Sequence, residues 1–170
     1  MCIAVCLAVI AGFYLSLIGS ARSLSYDQKQ VIKAAVRILK DKGFDNETFL
    51  LANLTAYRSE DNWLNASVAK ESAYAATNFP FEIMTLYPDF FAYPADDIER
   101  AAILLHEARH LMGEDEREAY EYVWRNRAKL GWTRAAYAQS PVWENVRQQT
   151  RENVAGLFVC DRKEFGDCTE

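Results

Sequence analysis

The chain has 170 residues, a formal net charge of −5 and 25% charged residues. This length predicts one domain, with a core large enough to fold without the help of disulfide bonds. The acidic balance excludes a general nucleic-acid binder, because such a protein needs an excess of basic side chains to neutralise phosphates.

The first 21 residues differ from the rest of the chain. They carry no charge, and Arg22 is the first charged residue. The apolar run over residues 1–18 is long enough for a marginal membrane span of about 18 residues and also fits the apolar core of a signal peptide. Small residues at 19–21 offer a cleavage site, whereas a basic segment before the run is missing. We expect residues 1–21 to be a signal peptide or an N-terminal membrane anchor, and residues 25–170 to form the domain.

Two cysteines near the C-terminus favour export. Cys160 and Cys168 enclose a short segment rich in turn residues, and in an exported protein such a pair predicts a disulfide bond. The alternative is two free thiols in a cytosolic tail. If residues 1–21 remain as an uncleaved anchor, the basic residues that follow would instead favour a cytoplasmic domain. Giving more weight to the cysteine pair, we predict a periplasmic, secreted or outward-facing membrane-anchored protein.

Helical periodicity begins after the apolar segment. Apolar residues at helical spacing predict a helix over residues 25–42, which Gly43 ends. A second, shorter helix is predicted over residues 46–57. Its inward-facing residues are expected to be Phe49, Leu50 and Leu54. Residues 58–78 have a weaker pattern that fits a loop with short strands.

A short strand is predicted over residues 81–86, where apolar residues alternate. Pro80 and Pro88 bracket this run, and an edge strand tolerates residues that cannot donate a backbone hydrogen bond. We therefore expect an edge strand, to which an extended peptide could add as a further strand. An aromatic loop is predicted over residues 89–94.

The most clearly marked helix begins at Asp96 and ends at Gly113. Asp96 and Glu99 have the spacing of a capping box, and the residues that follow form a broad apolar face. The next helix, capped by Glu114 or Asp115, is predicted to run to about residue 130. Three basic residues of that helix are predicted to form a solvated face: Arg125, Arg127 and Lys129.

Two shorter helical segments are predicted near the C-terminus, over residues 133–139 and 142–154. Pro141 separates them. Trp132 and Trp143 flank the break, and we expect these large apolar side chains to fix the last helices to the domain.

Both histidines of the chain lie near the end of the helix that stops at Gly113. His106 and His110 are four residues apart, so that on a helix both imidazoles share one face and can bind one metal ion. Glu107 projects about 100° further around the helix, close enough to reach a water on that ion. This H-E-x-x-H spacing predicts a zinc site.

A third ligand is needed, because a catalytic zinc ion takes three protein ligands and keeps one position open. No other histidine exists in the chain, so the ligand must be acidic. Glu116 belongs by periodicity to the inward face of the following helix, where a buried carboxylate is costly unless it is paired or bound to metal. We predict Glu116 as the third ligand, with Glu118 as the alternative.

The segment from His106 through Gly113 to Glu116 resembles the metzincin motif H-E-x-x-H-x-x-G-x-x-H, with Glu116 in place of the third histidine. It is also similar to gluzincins, whose third ligand is a glutamate on the next helix. The chain departs from metzincins in its carboxylate and in lacking a methionine turn. The resemblance covers about residues 81–130 and extends to the zincin superfamily of zinc metallopeptidases, without a particular family. It implies an α+β fold, mostly helical, with a small sheet and an active-site helix.

The resemblance also implies an activity. A zincin would bind Zn²⁺ and cleave peptide bonds in a peptide or protein substrate, with Glu107 as the general base for the attacking water. The developing oxyanion needs a further donor. The candidates are Tyr120 and Tyr137, followed by Tyr93 and Arg109.

Two other functions stay open. The chain could be a non-catalytic exported or envelope protein, in which the histidine pair is a structural metal site or simply packs. It could also be a regulated peptidase whose site is covered by the tail between Cys160 and Cys168.

Overall fold

Helices dominate the part of the chain that the computed structural model describes, which comprises residues 2–64, 66 and 74–159. Together with a small sheet they confirm the prediction of a mostly helical α+β protein. The helices are α1 (Cys2–Ser20), α2 (Tyr26–Asp41), α3 (Asp45–Phe49), α4 (Pro88–Ala92), α5 (Asp97–Leu111), α6 (Glu116–Leu130), α7 (Arg134–Tyr137) and α8 (Pro141–Asn153). The strands are β1 (Ala56–Arg58), β2 (Ala75–Asn78) and β3 (Ile83–Leu86).

Two helices, α2 and α6, begin with a capping box. At α2 the Ser25 side chain accepts a hydrogen bond from the Gln28 backbone, and the Gln28 side chain accepts one from the Ser25 backbone. Asp115 and Glu118 make the same reciprocal pair at the start of α6. Each box satisfies two of the backbone N–H groups that a helix start leaves without partners. Both helices were predicted, and their boundaries agree with the caps.

The start of α5 is held by a buried carboxylate. Asp96 caps the first turn as predicted, but Glu99 does not complete a capping box. The Glu99 carboxylate is fully buried and accepts hydrogen bonds from the Ala95 N–H, the Trp132 indole N–H and the Ser140 hydroxyl. It therefore connects the beginning of α5 with the segment after α6 and with the cap of α8.

The sheet has the strand order β1-β3-β2, with β1 parallel and β2 antiparallel to β3. The predicted strand over residues 81–86 exists as β3, but its assignment to a sheet edge is wrong. β3 is the central strand and all four of its residues are buried. Pro80 lies in the turn before it and Pro88 is the first residue of α4, so neither interrupts the hydrogen-bond ladder.

The predicted second helix ends earlier than expected. α3 continues into a π-helical turn over Leu50–Leu54, and β1 follows at Ala56. Phe49 and Leu54 are exposed, contrary to the prediction, whereas Leu51 is buried. The wider π turn rotates the residues after Leu50 away from the spacing of an α-helix, which explains the exposure of Leu54. The aromatic segment after β3 is also more regular than predicted, because most of it forms α4.

Three tryptophans fix the C-terminal helices, as predicted for Trp132 and Trp143. Both rings and that of Trp124 are buried, and the ring centroids of Trp132 and Trp143 are 5.0 Å apart. Arg127 was predicted to be solvated, but it is buried. Its guanidinium lies 4.6 Å from the centroid of the Trp124 ring and donates a hydrogen bond to the Trp124 carbonyl. The cation is thus satisfied within the core.

α1 projects from the domain. It is the one helix in the described ranges that is long and apolar enough to cross a membrane, with a mean hydropathy of 2.4 over 18 residues. Leu17 is its one buried residue. Cys160 and Cys168 lie outside the described residues, and their disulfide bond stays a prediction.

Replacing Glu99 with glutamine is expected to lower the free energy of unfolding by about 2 kcal/mol or more, because the amide cannot accept hydrogen bonds from three donors and leaves at least one of them buried without a partner. Urea unfolding of the purified protein measures this. The matched control is Glu144→Gln on α8, where the side chain is 64% exposed and little change is expected. Equal midpoints for the two variants would contradict the role of Glu99.

Candidate metal centre

Two imidazoles and one carboxylate converge where α5 ends and α6 begins. The Nε2 atoms of His106 and His110 are 3.0 Å apart. Glu116 Oε2 lies 3.2 Å from His106 Nε2, and Glu116 Oε1 lies 3.5 Å from His110 Nε2. The structure thus brings together the two predicted histidines and the first-ranked third ligand.

Local sequence explains this convergence. The four-residue spacing places both histidines on one face of α5. Gly113 then adopts φ +85°, which a residue without a side chain reaches at little cost, and the chain reverses. Asp115 caps α6 immediately afterwards. Glu116 is therefore the first residue of α6 and reaches back over the last turn of α5.

The ligand atoms fit a zinc ion. A tetrahedral Zn²⁺ with ligands at about 2.0–2.2 Å separates its ligand atoms by about 3.3–3.6 Å. The two imidazole nitrogens are 3.0 Å apart and face different Glu116 oxygens at 3.2 and 3.5 Å, and one ligand atom from each residue lies within 4.8 Å of the other two. His110 Nδ1 is 2.9 Å from the Glu114 carbonyl oxygen, which can only accept, so Nδ1 carries a hydrogen and Nε2 is left to face the cluster.

The electrostatics of the cluster favour a cation. Burial lowers the pKa of His110, but the hydrogen bonds with Glu116 and the Glu114 carbonyl, with the negative charges of Glu107 and Glu116, outweigh it and raise that pKa to about 9. Hydrogen bonds from His106 and His110 hold the pKa of Glu116 well below its usual range.

Glu116 is not buried, contrary to the prediction. Its side chain is 62% exposed, so the cost of burying a carboxylate does not select it. Glu116 is selected instead by its short distances to both imidazoles. The alternative ligand, Glu118, accepts a hydrogen bond from the Asp115 backbone N–H at 3.1 Å and serves the helix start instead.

Glu107 is held from the neighbouring sheet. Its side chain is buried, and its Oε2 accepts a hydrogen bond of 2.6 Å from the hydroxyl of Thr77 on β2. The bond fixes one carboxylate oxygen and leaves the other available. Sequence reasoning did not find Thr77, because no local pattern relates two positions 30 residues apart on a strand and a helix.

Tyr120 lies beside the cluster, as an oxyanion donor must. Its ring centroid is 4.3 Å from that of His106. Burial, followed by the negative charges of Glu116 and Glu107, raises the pKa of the Tyr120 hydroxyl above its usual value. The hydroxyl therefore stays protonated at physiological pH and can donate a hydrogen bond.

The other three oxyanion candidates are placed elsewhere. The Tyr137 hydroxyl donates to Asp96 at the start of α5, and the 14 residues from Asp96 to His110 span about 21 Å of helix. Arg109 is engaged in ion pairs with Glu47 and Glu114 and stacks on Tyr122. Tyr93 is 52% exposed and packs against the ring of Tyr74. The structure therefore does not bring Tyr137, Arg109 or Tyr93 into the ring contacts and ion pairs of the histidine cluster.

The cluster opens into a cleft of about 410 Å³ between α5, α6, α8 and β2. Glu107 and Tyr120 line it beside His106 and Glu116. The wall contributed by α8 contains three amide side chains at four-residue spacing: Asn145, Gln149 and Asn153. That spacing is visible in the sequence, but no local pattern relates it to the histidines, because only the packing of α8 against α6 brings the row to the cleft.

No protein-family model, curated protein or solved structure matches this chain. The function is therefore inferred from the residues of the site and their geometry.

The cluster is expected to bind one Zn²⁺ per chain, measured by metal analysis and by competition with a chromophoric chelator. His106→Ala should abolish binding, and Glu116→Gln should weaken it by about 100-fold or more, because a neutral amide is a poor ligand. Glu118→Gln is the matched control, since glutamine also completes a capping box. If Glu118→Gln weakened binding as much as Glu116→Gln, the assignment of the third ligand would be wrong.

Proposed function

We propose that this protein is a zinc-dependent peptidase of the zincin type, with His106, His110 and Glu116 as metal ligands and Glu107 as general base. One observation carries the proposal. His106, His110 and Glu116 each offer one ligand atom within 4.8 Å of the others, and the cleft beside them is also lined by a carboxylate with a fixed position.

The proposed roles follow from the chemistry of peptide hydrolysis. Zn²⁺ in this site would act as a Lewis acid, polarising the scissile carbonyl and lowering the pKa of a water. Glu107 would take a proton from the attacking water and pass it to the leaving amine as the carbon–nitrogen bond breaks. Tyr120 would donate a hydrogen bond to the oxyanion that forms on the former carbonyl.

β2 supports the proposal of an extended polypeptide substrate. Peptide addition was expected at residues 81–86, but β3 is central, and within the described sheet β2 has one strand neighbour. The Tyr87 N–H donates a hydrogen bond to the Tyr74 carbonyl. In an antiparallel pair, residues whose backbone groups bond to the partner strand alternate with residues whose backbone groups point away from it. The backbone groups of Ala75 and Thr77 therefore point away from β3. A peptide that adds to this edge would run past Thr77 and hence past Glu107.

The amide row on α8 suits the same class of substrate. Asn145, Gln149 and Asn153 line the cleft from α8. An amide side chain both donates and accepts hydrogen bonds, as the peptide backbone does. A substrate main chain between β2 and α8 could therefore be held on both sides without contacts to its side chains.

Glu107→Gln is expected to keep the zinc stoichiometry while lowering kcat/KM for an unstructured protein substrate by about 10²-fold or more, because the amide cannot take a proton. Glu121→Gln on α6, where the half-buried carboxylate pairs with Arg125 and does not line the cleft, is the control for the loss of one negative charge. If Glu107→Gln retained zinc and cleaved the substrate at an unchanged rate, Glu107 would not be the general base. If the wild type bound zinc but did not cleave, the non-catalytic alternative would be favoured.

The hydroxyl of Thr77 is expected to act by positioning Glu107. Thr77→Val removes the hydrogen bond and should lower kcat by about tenfold with little change in zinc affinity, whereas Thr77→Ser should restore the rate. Steady-state kinetics and chelator competition on the three proteins measure both quantities. A serine variant as slow as the valine variant would show that packing of the Thr77 methyl group is what matters.

A further inference from the structure

Exposed apolar side chains surround the point where α1 meets the domain. We refer to Trp63, Leu64, Phe79 and Phe81 as the collar. Trp63, Leu64 and Phe79 are 49%, 37% and 58% exposed. The ring of Phe13 on α1 lies 5.5 Å from that of Trp63 and 5.2 Å from that of Phe81. The collar is thus continuous with the apolar surface of α1.

The last part of α1 is bound to the domain rather than loosely attached. Leu17 is fully buried, and Arg58 donates a hydrogen bond to the Ile18 carbonyl. The Trp63 indole and backbone N–H groups donate to the hydroxyls of Ser16 and Ser20. Cleavage after residue 21 would remove all of these contacts, which favours retention of α1 over its role as a cleaved signal peptide.

The rest of α1 is apolar on every side and exposed. The large exposed side chains are 57–77% accessible: Ile3, Val5, Leu7, Val9, Ile10 and Leu15. Such a surface is costly in water and suits hydrocarbon.

The length of α1 determines where the collar must lie. Its 19 residues extend about 28 Å, and the hydrocarbon core of a bilayer is about 30 Å thick. If α1 spans a bilayer, the whole helix is needed, including the turns that contact Trp63 and Phe81. No length remains for a spacer between the membrane and the domain. Aromatic residues at such a position are typical of the membrane interface.

We propose that α1 and the collar form one membrane-docking surface, with the collar seated in the interfacial region of a lipid bilayer. Arg22 follows α1 and forms an exposed ion pair with Glu60, at the level of the proposed membrane interface.

Seating the collar brings the metal centre to the membrane surface. The Phe79 ring lies 3.5 Å from the position that a Cβ atom would occupy on Gly113. Gly113 belongs to the turn that directs Glu116 toward the histidines. One collar residue therefore touches the turn that builds the site. This part rests on the proposed peptidase function, and it identifies the substrate class as extended polypeptide segments next to a membrane.

Tryptophan quenching tests the docking surface. Trp124, Trp132 and Trp143 are at most 1% exposed, so the difference between the wild type and Trp63→Phe isolates the emission of Trp63. The full chain is reconstituted in phosphatidylcholine–phosphatidylglycerol vesicles that contain lipids spin-labelled near the headgroup. Quenching of the wild type, lost in Trp63→Phe, is expected.

The control places a tryptophan on another exposed aromatic position. Phe49 on α3 is 57% exposed and is not part of the collar. Phe49→Trp, made together with Trp63→Phe, should report no quenching. The proposal is overturned if the chain does not associate with vesicles, if Trp63→Phe is quenched as strongly as the wild type, or if the Phe49→Trp probe is quenched equally.

A cleavage assay tests the substrate class. One unstructured sequence is offered free in solution and attached to a short lipid anchor in the same vesicles. The anchored form should be cleaved with a kcat/KM at least about tenfold higher, through its raised local concentration. Trp63→Ser should reduce this advantage and leave cleavage of the free peptide unchanged. Quenching without any cleavage would contradict the peptidase function alone, whereas cleavage of both forms at equal rates without quenching would contradict the docking alone.

Discussion

The reversal of the chain between α5 and α6 is the constraint on which the candidate metal centre depends. Gly113 adopts a backbone conformation that residues with a side chain rarely reach, and Asp115 then supplies the partners for the first N–H groups of α6. These two local requirements leave Glu116 facing the last turn of α5. Without the reversal, two histidines on one helix face would have no third ligand, because no other acidic side chain in the described residues joins their cluster.

The sheet contributes to the site through its edge rather than through its centre. β3 is buried on both faces and supports the start of α4, whereas β2 carries the threonine that holds Glu107. Some backbone groups of the same strand point away from β3, beside that carboxylate. Substrate alignment and orientation of the base would thus depend on one strand, so a shift of its register would disturb both at once.

Two buried polar groups fix the rigid frame around the cleft. Glu99 connects the beginning of α5 with the segments that carry α7 and α8, and Arg127 lies among the tryptophans. Both charges are satisfied by hydrogen bonds or by an aromatic face, which a buried charge requires. Because α8 supplies one wall of the cleft, this network influences the shape of the proposed substrate site from a distance. Under our proposal, the collar and α1 would place that frame relative to a bilayer.

The sequence by itself determined the features that depend on neighbours along the chain. The helix boundaries at Ser25, Asp96 and Asp115, the pairing of His106 with His110 and the reversal at Gly113 all follow from spacing and capping chemistry over a few residues. Tertiary structure alone decided which strand is central, that Thr77 reaches Glu107, that Tyr120 rather than Tyr137 lies beside the histidines and that Arg127 is buried. These outcomes depend on contacts between residues far apart in the chain, and strand order or the partner of a side chain leaves no periodic signal in the sequence.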